Sequence, residues 1–130
     1  TSNVTDMSSM FSGSAVTEIK GLNKFNTSNV TNMSRMFIYG KMTTLDLGSF
    51  DTSKVTDMKW MFHGCNNLKT IYVSDKFNTL NVNDSDLMFN YVYNLVGGSG
   101  TVYDHSKTDK TYARIDGGTS NPGYFTLKTN

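Results

Sequence analysis

The sequence predicts an α/β fold: a right-handed solenoid of coils of about 25 residues, each a short helix followed by a short parallel strand, with a C-terminal capping coil. Three observations predict it. The phrase "FDTSKVTDMKWMFHG" (50–64) is nearly copied upstream as "FNTSNVTNMSRMFIYG" (25–40), and the chain opens on "TSNVTDMSSMFSG" (1–13). Val4, Val30, Val55 and Val82 head successive copies at steps of 26, 25 and 27 residues. Met10, Met36, Met61 and Met88 keep the same step, as do Phe11, Phe37, Phe62 and Phe89, and seven of the eight methionines fall in the phrase's two methionine slots. Stacked repeats require such a period, because one unit cannot bury its apolar face alone.

The first half of each copy reads V-T-[DN]-M-x-x-M-F, which places Val, both Met and Phe on one face of a short helix. Thr5, Thr31 and Thr56 stand where N-caps belong, with Asp6, Asn32 and Asp57 in the first turn. Gly13, Gly40 and Gly64 follow the Phe, where a left-handed residue ends a helix. About two turns is too short to persist alone in water, so packing must hold it. The second half reads "MTTLDL" (42–47) and "LKTIYV" (68–73), with a looser "VTEIKGL" (16–22). L-x-x-L-x-L is the strand pattern of leucine-rich repeats, and parallel strands joined by crossovers connect right-handedly. Asn26, Asp51 and Asn78 fall at the following turns, where their side chains can satisfy neighbouring backbone.

The last third follows the same order. Phe89 to Leu95 begins a fourth coil, "GGSG" (97–100) interrupts it, and "TVY" (101–103) is its expected strand. "TDKTYARIDGG" (108–118) reads as the repeat helix without its methionines, and "YFTL" (124–127) as a closing strand. Residues 1–103 are thus about four coils, the first starting mid-repeat, and 104–130 a cap packed on the last, together one cooperative domain.

Composition limits the function. At 130 residues the chain is one domain long, and a net charge of +1 gives no field for nucleic acid or an anionic membrane. One cysteine forms no intrachain disulfide framework, and no apolar run is long enough to span a membrane. The chain begins with Thr in mid-phrase and reads as a piece of a longer protein. Its first copy then leaves Met7, Met10 and Phe11 uncovered, an edge expected to fray or to join end to end with a second chain.

No motif carries chemistry. Cys65 lies beside His63, but it sits where Ser14 sits in the first copy and reads as a small packing residue. "GGSGTVYD" (97–104) has Val102 at the aspartate position of the calcium-binding nonapeptide, and "DSD" (84–86) lacks the further ligands of an EF-hand. The methionine stripe, in register with Val and Phe, reads as core. The reading is no enzyme, no cofactor and no metal.

Two motifs carry a resemblance. "FDTSKVTDMKWMFHGC" (50–65) resembles the repeat unit of the BspA-like leucine-rich-repeat surface proteins of bacteria, and "LVGGSGTVYD…DKTYARIDGGTSNPGYFT" (95–126) resembles their C-terminal module. Leu80, Asn83 and Ser85 depart from the repeat wording in the fourth copy, and Tyr39 lengthens one helix end. The resemblance implies a secreted or cell-wall-attached protein that adheres to host proteins, mucosal glycoproteins or other microbes, and it supplies no catalytic residue.

Candidate ligand-facing positions are those that vary while their neighbours repeat. One slot between the two methionines holds Ser9, Arg35, Trp60 and Leu87. Trp60 there is either exposed for a ligand or stacked on Arg35 of the next copy, and the sequence leaves both open. The outward strand positions Glu18, Lys20, Thr44, Asp46, Thr70 and Tyr72 form the second candidate face. The function expected is non-catalytic adhesion or recognition on a bacterial surface. The alternatives are a structural spacer projecting a binding module elsewhere, and a carbohydrate-binding module using the strand face. A binding module should show an aromatic or charged cluster across several copies, and a spacer should not.

Overall fold

The computed structural model describes residues 3–129. Thr1 and Ser2, at the head of the first phrase, and Asn130, at the end of the expected cap, lie outside the described residues. The fold is a small α/β arrangement with three parallel strands in one open sheet and few helices. Strands β1 (Thr44–Leu47), β2 (Thr70–Val73) and β3 (Phe125–Leu127) lie in that order, with Leu45 opposite Ile71 and Ile71 opposite Phe125. Leu45, Leu47, Ile71 and Val73 point inward, as a two-residue period demands. The helices are single 3-10 turns at Leu22–Lys24, Lys110–Tyr112 and Gly118–Ser120. Among the described residues, no helix is long and apolar enough to cross a membrane.

Among the described residues the expected two-turn helices are absent, and turns bonded to the neighbouring copy replace them. The N–H groups of Met7, Ser9, Phe11 and Gly13 donate to the carbonyls of Asn32, Ser34, Met36 and Ile38 in the next copy, at 2.7–3.0 Å. Met33, Arg35, Phe37 and Tyr39 donate likewise to Asp57, Lys59, Met61 and His63, at 2.8–2.9 Å. Between these rungs the chain closes tight turns, such as Met36 N–H to Met33 C=O (3.3 Å) and Gly40 N–H to Phe37 C=O (3.0 Å). Their third residues have positive φ, the feature that type II turns require. These are Ser9 (58°), Arg35 (56°), Trp60 (59°) and Leu87 (53°), and then Gly13 (66°), Tyr39 (58°), Gly64 (75°) and Tyr91 (64°). Gly40, expected to end a helix, is not the left-handed residue of its copy; Tyr39 is.

The helix reading failed for a physical reason. Apolar residues at i, i+3 and i+6 suit successive three-residue turns as well as a helix. The expected caps are in fact a ladder: Thr31 N–H donates to Thr5 C=O (2.8 Å) and Thr56 N–H to Thr31 C=O (2.9 Å). Asp6 and Asp57 accept from the N–H two residues on, at 2.8 and 3.0 Å, an Asx turn that imitates an N-cap in sequence.

The corner residues were also partly misread. Asn26, Asp51 and Asn78 accept from Ser28, Ser53 and Leu80 within their own turns. Buried threonines add bonds between copies at these corners. Thr27 Oγ1 accepts from the Asp51 N–H (2.8 Å) and donates to its carbonyl (3.1 Å), and Thr52 does the same with Asn78. Asp104 accepts from Ser106 N–H (2.9 Å), so Tyr103-Asp104 repeats the Phe-[DN] corner at the start of the C-terminal segment.

Side chains stack in columns across the copies. Phe11, Phe37, Phe62 and Phe89 lie ring on ring at 5.5, 5.8 and 5.4 Å. Met33, Met36, Met58, Met61 and Met88 are fully buried beside them. The first copy has no strand, because Gly21 stands where Leu47 and Val73 supply the second inward side chain. The fourth copy has none either: Val102 makes an isolated antiparallel bridge with Val96, and β3 takes the place beside β2 that "TVY" was expected to fill.

A buried carboxylate fixes that substitution. Asp116 accepts from the N–H groups of Ser99 (2.9 Å), Thr101 (2.9 Å) and Gly118 (2.9 Å) and from Thr101 Oγ1 (2.7 Å), wrapping the glycine loop around the C-terminal segment. Gly97 must lack a side chain there, since a Cβ would stand 2.1 Å from the Gly123 carbonyl oxygen. Burial alone would raise the Asp116 carboxyl, but the hydrogen bonds from Thr101, Gly118 and Ser99 outweigh it and hold the group at about 2. Its folded value lies below its unfolded one, so the stabilisation is complete at pH 5 and is lost as pH falls through about 2. Asp116→Asn, which turns an acceptor into a donor facing donors, should cost about 3 kcal/mol at pH 7. The difference from the parent chain should shrink in urea titrations at pH 2. A constant difference across that range would remove the clamp.

Candidate binding surface

Arg35 and Trp60 meet on the surface of the second and third copies. The Arg35 guanidinium lies 5.0 Å from the centre of the Trp60 ring. Arg35 is exposed and Trp60 half-exposed, so the contact covers only part of the indole. Trp60 is thus stacked on Arg35 and still partly accessible. Leu87, next in the column, is half-buried. The backbone of the slot is tied down, with Trp60 N–H donating to Asp86 C=O at 3.0 Å.

Around this pair the structure adds rings that the sequence reading left out. His63 stacks on Trp60 at 5.0 Å and meets Tyr39 and Tyr91 at 5.3 Å each. Tyr91 continues to Tyr93 and Tyr93 to Tyr103, each at 5.9 Å. Tyr39, Tyr91 and Tyr93 are 54%, 49% and 59% exposed, whereas His63 is buried at their centre. Gly64 makes room for the Tyr39 ring: a Cβ there would lie 2.5 Å from it. Burial pushes the His63 imidazole below its usual range, and its Nδ1 is buried without a hydrogen-bond partner. A signal for Tyr39 and Tyr91 did exist in the sequence. They occupy the slot of Gly13 and Gly64, and a ring in a slot that elsewhere holds glycine has to accept a positive φ.

The strand residues form a separate face. Register sets Thr44 beside Thr70 and Asp46 beside Tyr72. Lys128 pairs with Asp46 and lies 5.8 Å from the Tyr72 ring, so part of this face is already covered. Glu18 and Lys20 stand across from β1, where the first copy diverges. Two open clefts of about 510 and 390 Å³ lie between, sharing Glu18, Ile19 and Asp46. The structure thus groups Arg35 with Trp60, and sets Thr44, Asp46, Thr70 and Tyr72 along one sheet with Glu18 and Lys20 off the sheet across a cleft from Asp46, but does not join the two sets.

Cys65 is not paired with His63 as a nucleophile. Its thiol donates to the Phe37 carbonyl at 3.0 Å, and burial pushes it up to about 11. Among the described residues, no group of three or more His, Cys, Asp or Glu side chains is placed to hold a metal ion.

Copies bonded each to the next by backbone rungs, with side chains in continuous columns, make this a repeat protein. Residues 1–99 match the family described as "Mycoplasma protein of unknown function, DUF285", and the chain belongs to that family. No curated protein and no solved structure matches the chain.

Proposed function

We propose that the chain is a right-handed, leucine-rich-repeat-like solenoid of the BspA-like kind, serving as a non-catalytic recognition or adhesion module of a secreted or cell-surface bacterial protein. It binds a host or microbial macromolecule through the Arg35, Tyr39, Trp60, Tyr91 and Tyr93 surface. One observation carries the reading: an exposed cluster of Trp, Tyr and Arg that spans three copies. These three residue types dominate the energetics of protein interfaces. A pure spacer has no use for rings held at positive φ, where each costs of order 1 kcal/mol or more. The polar cleft at Glu18, Thr44 and Asp46 favours a second reading, a carbohydrate site on the strand face.

The repeat itself supplies variants for the test. Ser9 and Gly13 occupy the slots of Trp60 and Tyr39 with the same sign of φ. The variants Trp60→Ser, Tyr39→Gly and Tyr91→Gly should therefore stay folded, within about 1 kcal/mol of the parent. On an array of host proteins and glycans, Trp60→Ser should lose about 30-fold in affinity for the ligand the parent chain retains. Unchanged retention in all three variants would reject this surface. Loss in Asp46→Ala and Thr44→Ala instead would favour the strand face.

A further inference from the structure

His63 puts an ionisable ring into a slot that holds Ser12, Ile38 and Asn90 in the other copies. It is as buried as Ile38, at 5% exposed, yet its Nδ1 has no hydrogen-bond partner. A buried polar atom left without a partner calls for an explanation. The main chain here is fixed on both sides: His63 N–H donates to Trp60 C=O (3.2 Å), and His63 C=O accepts from Tyr39 N–H (2.8 Å). Any response must therefore come from side chains. Three rings surround the imidazole: Tyr39 from the second copy, Trp60 from its own turn and Tyr91 from the fourth copy. Beyond Trp60 stands the Arg35 guanidinium. Among the described residues, no carboxylate pairs with His63 or with Arg35. The imidazole thus faces two phenol rings, an indole and one cation, with uncharged Ile38 and Asn90 as its column neighbours.

We propose that His63 makes the aromatic surface acid-sensitive: closed over a neutral imidazole near neutral pH, and opened at Tyr39 and Tyr91 when that ring takes up a proton. The inference rests on the reading of this surface as the binding face and names its regulation. A second ring proton places a charge, and a buried N–H donor, where no acceptor stands. Arg35, stacked on the same indole, adds repulsion. Water is the remaining acceptor, and the Tyr39 and Tyr91 rings are what it must pass. Both are about half exposed and stand on backbone at positive φ, which holds them less firmly than the buried columns. The direction follows from the burial, which keeps the folded imidazole below its ordinary range. The closed arrangement is therefore favoured in full above the unfolded value of about 6.5 and lost as pH falls through the lower, folded one. A ligand held by Tyr39 and Tyr91 is released in acid. Serine, isoleucine or asparagine in the same slot has no proton to gain there.

Trp60 is the single tryptophan of the chain and stacks on His63, so its emission reports the state of that imidazole. Emission of the full chain, followed from about pH 8 to about pH 4, should change in one step with its midpoint below about 6.5. Hydroxyl-radical labelling of Tyr39 and Tyr91, read by mass spectrometry, should rise in the same step while the amides of Met33 and Met58 stay protected. His63→Ile, which copies the Ile38 slot, should show neither change, and His63→Asn, which copies Asn90, replaces it if the first variant misfolds. On the array of host proteins and glycans, the parent chain should lose about tenfold in affinity between the two ends of the step, and His63→Ile should not. No step in the parent chain, the same step in the folded variant, or a step without added labelling at Tyr39 and Tyr91 overturns the proposal. So does loss of protection at Met33 and Met58 in that step, which is general acid unfolding, or equal retention of a ligand at both ends of it. Emission and labelling need no ligand, so an array that retains nothing rejects the recognition reading and leaves the acid-driven opening to be decided by those two readouts.

Discussion

Removing residues 104–130 is expected to leave a fragment that aggregates or fails to melt cooperatively. The segment contributes β3, and with it Phe125 and Tyr124, both fully buried. Phe125 packs on Phe77, Phe62 and Phe89 at 4.9, 6.4 and 5.9 Å, and Tyr124 on Phe89 at 4.9 Å. Losing two buried aromatic residues costs roughly 3–5 kcal/mol each, which matches the whole stability of a typical domain, about 5–15 kcal/mol. The Tyr124 hydroxyl also holds the turn at Asp104 and Lys107: it accepts from the Asp104 N–H at 3.1 Å, its single proton is shared between the Asp104 and Lys107 carbonyls at 3.0 and 2.9 Å, and burial raises that hydroxyl to about 12. Solubility and thermal melting of the 1–103 fragment check the expectation. A soluble, monomeric fragment melting within a few degrees of the full chain would make the C-terminal segment a separate module.

The second large effect belongs to the phenylalanine column. Phe62 stacks between Phe37 and Phe89, and Phe125 meets it edge-on, so truncation opens a cavity in the middle of the column. Phe62→Ala should cost about 3–5 kcal/mol in urea unfolding. Phe11→Ala, at the half-buried end of the column, should cost less than half of that. Equal losses at both positions would mean that the column does not share one core.

The two mutations also mark what was legible in the sequence. The copy boundaries, the Met and Phe columns, the strands near 44–47 and 70–73, and the closing strand at 124–127 could all be read from period and alternation. The turn geometry could not. Asp6, Asn32 and Asp57 accept from N–H groups two residues on, and that looks the same in sequence whether a helix or an Asx turn follows. A three-residue apolar spacing is equally ambiguous. Gly21 in the second inward position of the first copy was a readable sign that no strand forms there. The Asp116 clamp joins residues 15 to 17 positions apart, and nothing local announces it. Of the candidate surface, Arg35 and Trp60 were visible as variation within a repeat. Tyr93 was not, because the fourth copy departs from the phrase that gives such variation meaning.

Residue-resolved amide exchange tests most directly whether the repeat phrase is a ladder between copies. In a helix capped by Thr31 or Thr56, the amides of Met33 and Met58 belong to the first turn and have no intrahelical acceptor, so they exchange early. In the ladder they donate to Asp57 and Asp84 in the next copy, at 2.9 Å each. The amides of Met33 and Met58 should therefore be among the slowest in the chain, comparable with those of strand β2, and far-ultraviolet circular dichroism should show little helical signal at 222 nm. Fast exchange at Met33 and Met58 together with a strong helical band would contradict the ladder, and with it the surface on which Arg35, Tyr39 and Trp60 are displayed.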